Sequence, residues 1–126
     1  MKIKMRTLVI DCLNAEVTAS FYCKLLGWEK TIIEDDWILV CDPKNGTGLS
    51  FQTELDYVPP VWPEKEGMQQ KMLHIDFIVD DLEEAVNYAL VSGAQKAPVQ
   101  YLSDVVVMLD PDNHPFCLFT DPTYIW

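Results

Sequence analysis

Residues 73–93, Leu-His-Ile-Asp-Phe-Ile-Val-Asp-Asp-Leu-Glu-Glu-Ala-Val-Asn-Tyr-Ala-Leu-Val-Ser-Gly, change their period in mid-run, and that change decides the fold. The preceding Met72 starts a strand-like stretch, 72–79. Its alternation sets Leu73, Ile75, Phe77 and Val79 on one face and Met72, His74, Asp76 and Ile78 on the other. Asp81, with Glu84 three positions on, predicts a capping box at a helix start. Leu82, Ala85, Val86, Ala89 and Leu90 then recur at helical spacing as far as Gly93, a residue suited to the left-handed helix end. Three further strands are predicted near 95–99, 104–109 and 115–119, the last two joined by the turn Asp110-Pro-Asp-Asn-His114.

The first half of the chain has the same order. Residues 5–12 alternate, with Leu8, Ile10 and Cys12 opposite Thr7, Val9 and Asp11. Asn14 is a predicted N-cap. Val17, Phe21, Tyr22, Leu25 and Leu26 follow as a helical stripe that Gly27 ends. Strands are predicted at 28–33, 36–41 and 48–53, with Asp42-Pro-Lys-Asn-Gly46 as the turn before the last. The two halves therefore align at an offset of about 67 residues by element order and punctuation rather than by identity. Module 1 spans about 1–54 and module 2 about 72–126. Between them, about 55–71 form a linker or lid carrying Pro59, Pro60, Pro63 and Gly67. The class is α+β, two tandem βαβββ modules in one domain. A third strand after each helix argues against a ferredoxin-like sandwich.

Composition narrows the function classes. Nine Lys and Arg against twenty Asp and Glu give 126 residues a formal charge of −11. Nucleic-acid binding needs clustered cations to displace condensed counterions, and the few here are scattered. A polybasic membrane contact fails for the same reason. No apolar run approaches the roughly 18 residues of a membrane span, and the start lacks a signal-peptide pattern, so a cytoplasmic protein is expected. Four cysteines, Cys12, Cys23, Cys41 and Cys117, have no paired spacing and sit in apolar stretches, which predicts free thiols. No phosphate loop or dinucleotide fingerprint is present.

The chain resembles the vicinal oxygen chelate superfamily, in its glyoxalase-like and bleomycin-resistance-like branch. The resemblance rests on 73–86 and on Leu-Asp-Pro-Asp-Asn-His-Pro-Phe-Cys-Leu (109–118) in the second half. In the first it rests on Leu-Val-Ile-Asp-Cys (8–12), Ser-Phe-Tyr-Cys-Lys-Leu-Leu-Gly (20–27) and Pro-Pro-Val-Trp-Pro (59–63). It implies an eight-stranded U-shaped sheet around a central cavity, with the helices outside, in a homodimer. Metal-dependent members place one ligand on the first and one on the last strand of each module, commonly His, Gln or Glu. The matching positions here are Thr7, Ser50, His74 and Cys117, of which only His74 is a standard ligand.

That departure sets the functional expectations. One imidazole, one thiol and two hydroxyls do not suit a hard divalent ion. No cofactor is expected. The alternative is a divalent ion on His74 and Cys117, with Asp11 or Asp76 added if strand phase brings one close. The reading is a small organic ligand bound in the cavity without the usual metal set. Two alternatives stand beside it. One is a glyoxalase-like lyase, isomerase or thiol transferase with His74 as base; the other is an association module with a vestigial cavity. Candidate catalytic groups are His74 and Cys117. A Cys117–His74 contact would lower the thiol pKa and give a nucleophile, whereas inert packing is the simpler account of Cys117. The candidate ligand-pocket residues are Thr7, Ser50, Gln52, His74, Asp76, Cys117, Tyr57 and Trp62, the last two as lid or as packing. His114 reads as an exposed turn residue. Tyr124-Ile125-Trp126 reads as a dimer contact or a self-docked tail.

Overall fold

Two helix starts fix the chain's punctuation. The Asn14 carboxamide accepts the backbone N–H groups of Glu16 (3.0 Å) and Val17 (3.3 Å) and opens α1, Ala15–Leu26. Gly27 then ends it at φ 67°, where a side chain would be strained. The Asp81 carboxylate accepts the Glu84 N–H at 2.9 Å and opens α2, Leu82–Ser92. The reciprocal half of the expected capping box is replaced, because the Asp81 N–H donates to the Asp80 side chain.

The structure, a computed structural model, describes residues 1–126 and falls into two compact units, Met1–Tyr57 and Val58–Trp126. Unit 1 contains β1 (Leu8–Cys12), α1, β2 (Glu29–Ile33), β3 (Trp37–Cys41) and β4 (Gly48–Thr53); unit 2 contains β5 (Ile75–Ile78), α2, β6 (Gln95–Lys96), β7 (Val105–Leu109) and β8 (Pro115–Phe119). Each unit forms one four-stranded sheet, ordered β1-β4-β3-β2 and β5-β8-β7-β6. The helix carries the chain across so that the fourth strand returns parallel to the first, and the other pairs are antiparallel. Leu8 faces Leu49 in unit 1 and Ile75 faces Phe116 in unit 2, so the register itself repeats at a displacement of 67 residues. The βαβββ duplication read from the sequence is the architecture observed.

The cores show which side chains hold each unit. In unit 1, Tyr22 stacks on Phe51 (5.1 Å, 15°) and meets Phe21 edge-on, with Leu39 and Val40 fully buried beneath. Burial of side chains of this size stabilises by about 1.5–3 kcal/mol each. The buried helix face is Ala15, Thr18, Ala19, Phe21 and Tyr22, while Val17, assigned to the stripe from sequence, is 52% exposed. Small residues at 15, 18 and 19 let the helix approach the sheet closely and set that face. In unit 2, Phe116, Met108, Leu118 and Ala89 are buried, and Phe77 meets Phe116 edge-on at 5.9 Å.

Other strand limits differ from the sequence reading for local reasons. Met72 adopts φ 60° and the Leu73 N–H bends back to the Lys71 carbonyl, so β5 begins only at Ile75. Strand β6 is two residues long because Pro98 has no N–H to continue the ladder. Residues 58–71, the Pro-rich stretch with a cis Trp62–Pro63 bond, pack as part of unit 2.

The Asp110–His114 turn is tied to a buried carboxylate. One Asp110 oxygen accepts the N–H groups of Asp112 (2.8 Å) and His114 (3.0 Å), and the other lies 2.7 Å from His114 Nδ1. His114 is therefore a half-buried partner of Asp110, not the exposed turn residue expected from its neighbours. Asn113, at φ 64°, takes the left-handed position that asparagine tolerates. The four cysteines are free thiols, and no helix is long and apolar enough to cross a membrane.

Candidate functional site

Strand phase in unit 2 gathers three chemically different donors. His74 immediately precedes β5, and Asp76 lies two residues on, so both side chains leave the same face. His74 Nε2 and Asp76 Oδ1 are 3.2 Å apart, with 40% and 58% of their side chains exposed. Asp76 is also the direct parallel-strand partner of Cys117 on β8. The donor atoms of His74, Asp76 and Cys117 all lie within 4.8 Å of one another. Exposed heads above a buried sulfur give the cluster access to solvent from one side.

Cys117 packs with Ala97 and Val107, and Trp62, Val105 and Leu109 close around them. Burial pushes its thiol up to about 11, and the Asp76 carboxylate adds to the shift by charge and by hydrogen bonding; Lys71 acts weakly the other way. Activation of Cys117 to a thiolate by His74 is thus replaced by the reverse effect. At neutral pH the thiol is protonated and donates to Asp76.

The equivalent positions of unit 1 are closed. Thr7 Oγ1 and Ser50 Oγ are 2.9 Å apart, and Ser50 is fully buried. Thr7 also donates to the Leu8 carbonyl, so Ser50 donates to Thr7 and both hydroxyl protons are used. Gln52 donates from its amide to Glu54 Oε1 at 2.9 Å. Tyr57, half-buried, ends the unit with its N–H on the Glu54 carbonyl. Neutral hydroxyls already bonded to each other are poor ligands for a divalent ion.

Around Trp62 the structure gathers Val99, Tyr101 and Lys71. The indole Nε1 donates to the Val99 carbonyl at 3.1 Å, and Tyr101 meets the ring edge-on at 5.8 Å. Lys71 Nζ lies 5.0 Å from the ring centre and pairs with Glu64. Nothing distinguishes Lys71 in a charged, Pro-rich stretch, so its place here had no signal. Gln100 clamps the chain before β7, donating to the Ala97 and Val107 carbonyls and accepting the Val107 N–H.

Comparison with known proteins agrees with this architecture. A glyoxalase/bleomycin resistance protein/dioxygenase family enzyme from Burkholderia phytofirmans superposes with a TM-score of 0.65 at 18% identity, covering 91% of this chain and 96% of its own. A glyoxalase family protein from Enterococcus faecalis gives 0.64 at 21%, covering 92% and 96%. A bleomycin resistance determinant encoded on the transposon Tn5 gives 0.62 at 17%, covering 95% and 99%. At these identities the likeness is one of fold. No curated protein matches the chain. The family described as glyoxalase-like domain does match, over residues 7–119, nearly the whole length, and the chain belongs to it.

Proposed function

We propose that this glyoxalase-like protein binds a small organic ligand on the His74–Asp76–Cys117 face of its second unit, without the four-position metal set. The observation that carries this reading is the contrast between equivalent positions. Thr7 and Ser50 consume each other's hydrogen-bonding capacity, whereas His74 and Asp76 keep theirs half-open to solvent beside an apolar wall containing Trp62. An apolar surface with a few oriented polar groups suits a compact amphipathic molecule that offers both a donor and an acceptor.

The test uses chelator-treated protein and calorimetric titration of hits from a small-molecule screen. Trp62→Ala is expected to weaken binding about tenfold or more, equivalent to about 1.4 kcal/mol. His74→Ala is expected to stay within a few-fold. Tyr101→Ala, at a 66% exposed position touching Trp62, provides a variant that spares the packed core. A screen without saturable binding contradicts the reading.

A second reading has its own observation. Asp76, at 3.2 Å from His74 Nε2, orients the imidazole as it would a general base. On that reading His74→Ala abolishes turnover while the melting temperature persists.

We propose further that the chain self-associates as a homodimer through its apolar end. Tyr124, Ile125 and Trp126 are 50%, 90% and 70% exposed. Deleting Tyr124–Trp126 is expected to shift the sedimenting species from dimer to monomer, and an unchanged dimer rejects this contact.

A further inference from the structure

We infer that the Trp62 ring and the Glu64 carboxylate form a subsite for the ammonium group of an organic amine, and that Lys71 holds this subsite as an internal stand-in which such a ligand displaces. The inference rests on the organic-ligand reading and names the chemical class that the reading leaves open.

The Lys71 ammonium supplies the first observation. It lies 5.0 Å from the centre of the Trp62 ring and pairs with Glu64, and only 17% of the Lys71 side chain is exposed. A lysine head is strongly hydrated and ordinarily stays in water even where its stem is buried. Here it is drawn onto an aromatic ring, whose face carries partial negative charge, and is closed in by a carboxylate. A ring and a carboxylate that hold one primary ammonium suit another. The contacts of Lys71 therefore define the ligand group that takes its place.

The ring is held independently of the lysine. Its Nε1 donates to the Val99 carbonyl at 3.1 Å, and Trp62 packs against the cluster of Ala97, Val107 and Cys117. Lys71, by contrast, hangs on a flexible four-carbon stem, and its partner Glu64 is exposed. Tyr101, exposed and edge-on to the indole at 5.8 Å, offers a second aromatic surface to the apolar body of a ligand.

Position and charge agree with this assignment. The charge of Lys71 is felt at the Cys117 sulfur, and Cys117 is the strand partner of Asp76, so the subsite adjoins the His74–Asp76 face. A ligand carboxylate or phosphate at the ring would be repelled by Glu64, with the exposed Asp76 carboxylate on the adjoining face. An ammonium suits both. The formal charge of −11 on the chain also favours the approach of cations over anions.

The experiment titrates three probes of similar size, phenethylamine, phenethyl alcohol and hydrocinnamate, into chelator-treated protein and follows the Trp62 indole N–H by nuclear magnetic resonance. At neutral pH the probes are a cation, a neutral molecule and an anion. Phenethylamine is expected to bind about tenfold or more tightly than either of the others. Lys71→Met keeps an apolar stem and removes the competing ammonium, so phenethylamine should then bind about fivefold more tightly still; Lys71→Gln should act in the same direction. Adding Glu64→Gln to Lys71→Met should erase the preference for the amine over the alcohol. Circular dichroism checks the fold of each variant, and the comparison of probes on the unsubstituted protein needs no variant. Equal binding of the three probes, or amine binding that Lys71→Met weakens or leaves unchanged, overturns the subsite. So does silence of all three probes with Lys71→Met, where the ammonium no longer covers the ring. None of these results touches the organic-ligand reading, which falls only if a broad screen finds no saturable compound of any charge.

Discussion

Asp110→Ala is expected to lower the free energy of unfolding by about 3–5 kcal/mol, measured by urea denaturation at neutral pH. The Asp110 side chain is fully buried and accepts two backbone N–H groups as well as facing the His114 ring. Truncation takes the carboxylate away from both N–H groups, and a buried polar group left unpaired costs about 1–3 kcal/mol. The effect extends beyond the turn. Asp110 and His114 bracket the connection from β7 to β8, with the Asp110 N–H bonded to the His114 carbonyl. That connection sets the register that places Cys117 beside Asp76. Asp110→Asn keeps one carbonyl oxygen for the N–H groups and should lose less than alanine. A loss below about 1 kcal/mol for Asp110→Ala would show that the turn does not organise β8.

Alkylation of Cys117 by iodoacetamide at pH 8 is expected to be far slower than that of a free thiol. With the pKa pushed to about 11, only about one thiol in a thousand is ionised at that pH, whereas a thiol at its ordinary value of 9.0 is ionised in about one molecule in ten. Burial of the sulfur slows attack further. Asp76→Asn removes the adjacent negative charge and should speed the reaction by lowering the thiol pKa. The same shift makes a statement about stability. The folded state holds the Cys117 proton to higher pH than the unfolded chain, whose thiol ionises near 9.0. The stabilisation is therefore complete below about pH 9 and is lost as pH rises towards 11. Peptide mapping of the alkylated protein assigns the rate to Cys117. Rapid labelling at pH 8 in the folded state would restore the nucleophilic-thiolate reading that the burial and the carboxylate now oppose.

How much of this was legible beforehand follows from the range of each interaction. Caps, helix ends and strand alternation are local, so Asn14, Gly27, Asp81 and Gly93 marked both helices correctly, and the repeat of about 67 residues emerged from punctuation alone. Helix faces were less legible. Hydrophobicity favoured Val17, whereas close packing on the sheet selected Ala15, Thr18 and Ala19. The conformation of Met72 and the absent donor of Pro98 shortened β5 and β6 in ways alternation does not record.

The site divides along the same line. His74 and Asp76 share a face by simple two-residue spacing, and their association was readable as such. Placing Cys117 beside them required the parallel pairing of β5 with β8, which lies 41 residues apart at the Asp76–Cys117 pair. The direction of the thiol shift depended first on burial of the sulfur and then on the Asp76 carboxylate beside it, neither of which local sequence records. Lys71 over Trp62 and the Asp110–His114 pair likewise depend on side-chain placement after folding. Thr7 and Ser50 were recognised as hydroxyl positions, but their mutual bond is a contact between β4 and the residue before β1.

The most direct measurement is nuclear magnetic resonance mapping on isotope-labelled, chelator-treated protein titrated with a library of small amphipathic organic compounds. The account predicts that some compounds produce saturable shifts of the His74 imidazole and Trp62 indole signals, together with the amides of Asp76 and Cys117, while α1 and the Thr7–Ser50 pair stay unchanged. A folded protein whose spectrum shows no saturable response to any compound, or responds only away from that face, would contradict it.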